Sequence, residues 1–172
     1  PEYRALNPSR EVPTLIHKGQ AIGQSVAILE YLDEIGTLPR LYPTEPRQRA
    51  RIRQFCEVIN CAQPMQNLRT TAYLKSATMG VSEEKVQTWL NHWLGLALES
   101  LESMLQKNAG RFCFGNEITA ADCFLTPQVF ACRRLGVDLK PYAKFLEVND
   151  NIEALEAVQK AHPSRQPDTP PA

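Results

Sequence analysis

Gln24 and Ser25 stand directly before an apolar stripe at helical spacing, Val26, Ile28, Leu29 and Leu32. A helix opening there exposes its first backbone N–H groups and the positive end of its dipole, which is a place for a carboxylate. Ser25 is the residue expected to cap it. Arg133 and Arg134 close a second helical stretch, and a planar guanidinium can grip a carboxylate through two parallel hydrogen bonds. Neighbours on a helix point about 100° apart, so only one of this pair faces any given cleft. Asp122 follows Thr119 at the spacing of a capping box, which makes its carboxylate a structural group rather than an acid or base. Trp89 and Trp93, four residues apart on one helix face, read as core.

The five cysteines (Cys56, Cys61, Cys113, Cys123 and Cys132) are odd in number and form no C-x-x-C pair, so neither a disulfide framework nor a metal site is expected. They read as buried thiols in a reducing compartment. A cysteine nucleophile would need His17, His92 or His162 as its base, and no local pattern singles one out. Nineteen Lys and Arg balance nineteen Asp and Glu, which argues against nucleic-acid and membrane-surface binding. No run approaches the roughly 18 apolar residues of a spanning helix, and the chain opens on Pro1-Glu2-Tyr3-Arg4 rather than a leader. The expectation is a cytoplasmic protein.

These groups need elements to hold them. Val12–Ile16 favours a strand, Lys18-Gly19-Gln20 a turn and Ala21-Ile22 a second strand, so a hairpin precedes the Ser25 helix, which ends near Gly36. Pro39, Pro43 and Pro46 mark a linker. Beyond it a helix over 47–75, kinked or interrupted by Pro64, and a helix over about 82–106 form an antiparallel pair. The helix started at Thr119 continues toward Leu135 with Phe124, Leu125, Val129 and Phe130 buried, and a last helix covers about 152–161. The expected fold class is α/β plus all-α, and the tail from Ser164 lies on the surface.

Six stretches together carry a resemblance: Ala5-Leu6-Asn7-Pro8 with Val12-Pro13-Thr14-Leu15; Gly23-Gln24-Ser25; Gln63-Pro64-Met65-Gln66-Asn67-Leu68; Gly115 to Asp122; Val137 to Tyr142; and His162-Pro163 with Arg165 to Pro170. The chain resembles the soluble glutathione transferases, and within them the zeta class, the maleylacetoacetate isomerases. The resemblance implies a partial thioredoxin-like N-terminal domain followed by a glutathione-transferase helical bundle. In that scheme residues 1–36 are a remnant of the glutathione-binding domain, 37–46 the linker and 47–172 the all-helical domain.

Several roles are implied by the resemblance alone. Pro13 would be a cis proline with the backbone of Val12 pairing with glutathione. Gln24 and Ser25 would hold its γ-glutamyl end, with Arg10 and Gln63 nearby, and Arg134 would take a carboxylate of the second substrate. The implied reaction is glutathione-dependent isomerisation of maleylacetoacetate to fumarylacetoacetate, a step of tyrosine and phenylalanine catabolism, with small α-halo acids as further substrates. A homodimer is implied as well. The family's thiol-activating Ser-Ser-Cys motif is not in this sequence, so no catalytic residue is assigned within it. The motif's β-α-β unit is expected either ahead of Pro1 in a longer gene product or to have been lost from a truncated form, and without it the Val12–Thr14 strand has an open edge. A different class of function, a non-catalytic scaffold or dimerisation module, stands as the rival reading.

Overall fold

The computed structural model of the chain describes residues 2–36, 38–167 and 169. Pro1 and the tail matches at Asp168 and Pro170 lie outside the described residues. After a short helix α1 (Glu2–Leu6), strands β1 (Thr14–His17) and β2 (Gln20–Gly23) pair antiparallel, with Thr14 opposite Gly23 and His17 opposite Gln20. Lys18 (φ 49) and Gly19 (φ 77) form the two-residue turn, both left-handed, which suits the twist of the hairpin. The first strand begins at Thr14 rather than Val12, because Pro13 has no N–H to offer a ladder. Among the described residues β2 is the only ladder partner of β1.

Helix α2 (Ser25–Glu34) follows, and here the expected cap is corrected. Gln24, at φ 71, occupies the N-cap position without a side-chain bond, and Ser25 is the first residue inside the helix. Gly36 (φ 87) turns the chain out of α2. Helix α3 (Pro46–Gln66) starts on a proline and is capped by the Glu45 carboxylate, which accepts from the N–H of Arg47 and Gln48. It carries Pro64 inside it and stops at Asn67, whose side chain caps a separate helix α4 (Leu68–Lys75).

Helix α5 (Glu83–Asn108) is capped by Ser82 and runs back along α3: Trp89, near its start, donates to the Met65 carbonyl at the end of α3 (3.0 Å). Ile52, Phe55 and Ile59 meet Leu94, Leu98, Leu101 and Leu105 in the core, all at most 1% exposed. Trp93 and Phe130, expected inside, are 37% and 39% exposed. Trp93 lies beside the buried stripe of α5 and meets the rings of Trp89 and His92 edge-on.

Helix α6 (Ala120–Arg134) opens at the Thr119–Asp122 capping box. Asp122, 1% exposed, accepts from the Thr119 N–H (2.7 Å), the Thr119 hydroxyl (2.9 Å) and the Cys113 N–H (2.8 Å). Helix α7 (Ala143–Glu153) was not foreseen, and it takes Ile152 away from the last helix, so α8 covers only Glu156–Ala161. Three of the five cysteines are buried, Cys56, Cys113 and Cys132, whereas Cys61 and Cys123 are exposed.

Candidate functional site

A cleft of about 620 Å³ lies between the N-terminal piece and helices α3, α4 and α6. Arg10, Val12, Gln24, Ser25, Gln63 and Arg134 all line it, although they are scattered over more than a hundred residues of sequence. On its N-terminal wall the Val12-Pro13 peptide bond is cis, and Val12 is 83% exposed. Among the described residues no protein group bonds to the Val12 backbone N–H or C=O, or accepts from the N–H of Ser25, Val26 or Ala27. The first intrahelical bond of α2 is the Ile28 N–H to the Gln24 carbonyl, so three donors at the positive end of that helix are available to an anion.

On the opposite wall the adjacent arginines divide as helical geometry requires. Arg134 lines the cleft, while Arg133 points away and pairs with Glu153 at 3.3 Å. The side chains of Arg10 and Arg134 have no hydrogen bond or ion pair among the described residues. The lining holds three arginines and one carboxylate, Glu11, which is committed to Arg69 at 3.1 Å. The cleft is therefore electropositive and suited to a ligand with several carboxylates.

Residues that sequence reasoning passed over hold this arrangement together. Asn7, 6% exposed, donates to the Glu11 carbonyl (2.7 Å) and the Thr14 hydroxyl (3.0 Å) and accepts from Ser9, which fixes the loop bearing Arg10 and Val12. Gly23 lies against it: a Cβ there would meet Asn7 Nδ2 at 3.1 Å. Arg69 on α4 donates to the Ser9 carbonyl and the Glu11 carboxylate, tying the same loop to the helical half. Beneath Gln63, the buried amides of Gln66 and Gln128 pair reciprocally (2.7 and 3.3 Å), and Gln63 donates to the Gln128 carbonyl oxygen at 3.4 Å. The local signal for this brace is Asn7 two residues before Ser9, an Asx-turn pattern. The glutamine cluster, 62 residues apart in sequence, has no such signal.

Cys123 also lines the cleft; although the residue is exposed overall, partial desolvation of its sulfur, and then the Asp122 carboxylate, push the thiol up. That shift disfavours the thiolate a nucleophile needs. None of the histidines lines the cleft: His17 bonds the Tyr31 hydroxyl, His92 meets the Trp93 ring edge-on and His162 bonds Ser164. A cysteine–histidine mechanism thus has no geometry here. The larger groove on the far side of α6, lined by Phe130, Arg133 and Leu155, sets Glu117, Asp122, Glu153 and Glu156 beside its three arginines and so lacks the net positive charge of the first cleft.

The family models for the glutathione S-transferase N-terminal and C-terminal domains match residues 1–35 and 87–161. The chain is 42% identical to maleylacetoacetate isomerase of Rattus norvegicus over 98% of its own length and 76% of that protein. The chain belongs to the glutathione S-transferase family. Its zeta-class, maleylacetoacetate isomerase branch is supported by two solved structures. Maleylpyruvate isomerase, a bacterial zeta-class transferase, superposes with a TM-score of 0.92 at 35% identity, covering 98% of this chain and 81% of that one. Maleylacetoacetate isomerase of Anaeromyxobacter dehalogenans 2CP-1, with dicarboxyethyl glutathione and citrate in its active site, gives 0.85 at 37%, covering 99% and 80%. As a family member the chain has a short two-stranded thioredoxin-like sheet and a helical bundle, the fold class expected from the sequence.

Proposed function

We propose that this transferase takes glutathione along the α2 side of the cleft and a small dicarboxylate along the α6 side, and serves the isomerisation of maleylacetoacetate to fumarylacetoacetate. The supporting observation is that the open N-terminus of α2, the unengaged backbone of Val12 and the unpaired guanidinium of Arg134 share one electropositive cleft. Glutathione, when bound, supplies a thiolate that adds to the activated double bond, allows rotation about it and departs.

The chain's own residues bind and orient. The N–H groups of Ser25, Val26 and Ala27 and the Ser25 hydroxyl receive the γ-glutamyl carboxylate. Val12 offers one donor and one acceptor to the cysteinyl backbone, in the manner of an added strand. Arg10 favours the tripeptide's remaining negative charge, and Gln63, steadied by Gln128, offers its carbonyl oxygen to an N–H. Arg134 grips a carboxylate of the second substrate bidentately, which holds the double bond near the sulfur. Residues 1–36 act as the glutathione side and 47–172 as the helical side, joined by 37–46. We further read the protein as a cytoplasmic homodimer, the exposed Trp93 and Leu96 on α5 being apolar surface that a second copy would cover.

The test is retention on immobilised glutathione together with turnover of maleylacetoacetate. Retention that weakens on Ser25→Ala, with glutathione-dependent isomerisation, supports the reading. Retention indifferent to that substitution contradicts the helix-end site, and retention without turnover favours the scaffold reading.

A further inference from the structure

The two walls of the cleft belong to helices that are far apart in sequence, and one linker residue joins them. Asp33, on the third turn of α2, is 5% exposed, and its carboxylate accepts from the N–H of Leu41 (2.7 Å) and of Tyr42 (3.3 Å). The carbonyl of Leu41 in turn accepts from the N–H of Ala120 (3.0 Å), the first residue of α6. Both backbone groups of Leu41 are thus engaged, one by the helix whose start faces the glutathione side and the other by the helix that ends in Arg134. Tyr42, 2% exposed, anchors the relay in the core with the Arg53 guanidinium 5.9 Å over its ring, and Arg53 itself bonds Glu30 on α2.

We propose that Asp33 is a positioning residue: through Leu41 and Ala120 it fixes the distance between the α2 and α6 walls, and so between bound thiol and bound dicarboxylate. The idea rests on the functional reading above. Glutathione is held chiefly by the α2 start and the Arg10–Val12 loop, with Gln63 as a lesser contact, and the dicarboxylate by Arg134, so loosening the relay largely spares single-ligand affinity. It penalises a ligand that must touch both walls at once, because the second contact depends on a defined separation.

Dicarboxyethyl glutathione is such a ligand, and glutathione alone is its control. By calorimetric titration, Asp33→Ala is expected to weaken dicarboxyethyl glutathione about tenfold and glutathione less than about twofold. Asp33→Asn keeps an acceptor oxygen for Leu41 and is expected to behave like the unsubstituted chain. Ala120→Pro cuts the other end of the relay at a position where proline suits a helix start, after Thr119 in an extended conformation (φ -133, ψ 174) that tolerates it. It should reproduce the selective loss. Equal loss for both ligands, or loss for neither in both Asp33→Ala and Ala120→Pro, overturns the proposal. Failure of the unsubstituted chain to bind glutathione overturns the functional reading itself and this proposal with it.

Discussion

Arg133 and Arg134 differ by one position and by everything that surrounds them. The first is neutralised by Glu153 on α7, whereas the second faces the cleft without a partner. Arg134→Ala is expected to weaken a bound dicarboxylate such as malonate by about 2 kcal/mol, the scale of a charge-assisted hydrogen bond, and to leave glutathione affinity unchanged. Arg133→Ala should alter neither, since exposed ion pairs contribute about 0–1 kcal/mol to stability and this one lies outside the cleft. Titration of each variant with each ligand checks both statements. The thiols make a separate prediction. At pH 8, iodoacetamide should label exposed Cys61 well before the buried Cys56, Cys113 and Cys132. Labelling of those three in the folded protein as fast as Cys61 would contradict their burial.

What the elements require explains which parts of the fold were readable in the sequence. The hairpin, the α3–α5 pair and the start of α6 are specified by local signals: Lys18-Gly19 at the turn, Ser82 and Glu45 as caps, Thr119 with Asp122. The lost donor at Pro64 was also legible, although the break falls at Asn67, where a side-chain cap for α4 is available. Helix α7 was missed for a physical reason. Its first N–H groups have no local cap, and the Glu102 carboxylate of α5 receives those of Lys144 and Phe145 (3.0 and 2.8 Å) across more than 40 residues. Glu102→Ala should therefore destabilise the fold by about 1 kcal/mol, the cost of a lost N-cap. Asp122→Ala should cost more, about 3 kcal/mol, because it also orphans the buried Cys113 N–H. Chemical denaturation measures both. The position of Ser25 inside α2 rather than at its cap was not legible, because it depends on the left-handed backbone of Gln24.

Taken as a whole, the molecule builds one cleft from a small α/β piece and a bundle, and its stability and binding depend on separate groups. Burial, with smaller contributions from neighbouring thiols and carboxylates, raises the Cys56 thiol to about 12; burial also raises Cys132 to about 11 and Cys113 well above its ordinary 9. The unfolded chain releases these protons near pH 9 and the folded chain only later. The unfolded state thus binds fewer protons in that window, and stability falls as pH rises from about 9 toward 11, by up to about 1.4 kcal/mol per pH unit for each thiol. Denaturation midpoints across that range should decline, and Cys132→Ala should flatten the slope.

The binding arrangement can be read directly by amide NMR as glutathione is added and malonate follows. Shifts are expected at Val12 and at Ser25–Ala27 with the first ligand, and at the Arg134 end of α6 only with the second. Shifts confined to the groove between α6 and α8, or none at Val12 and Ser25, would contradict that arrangement.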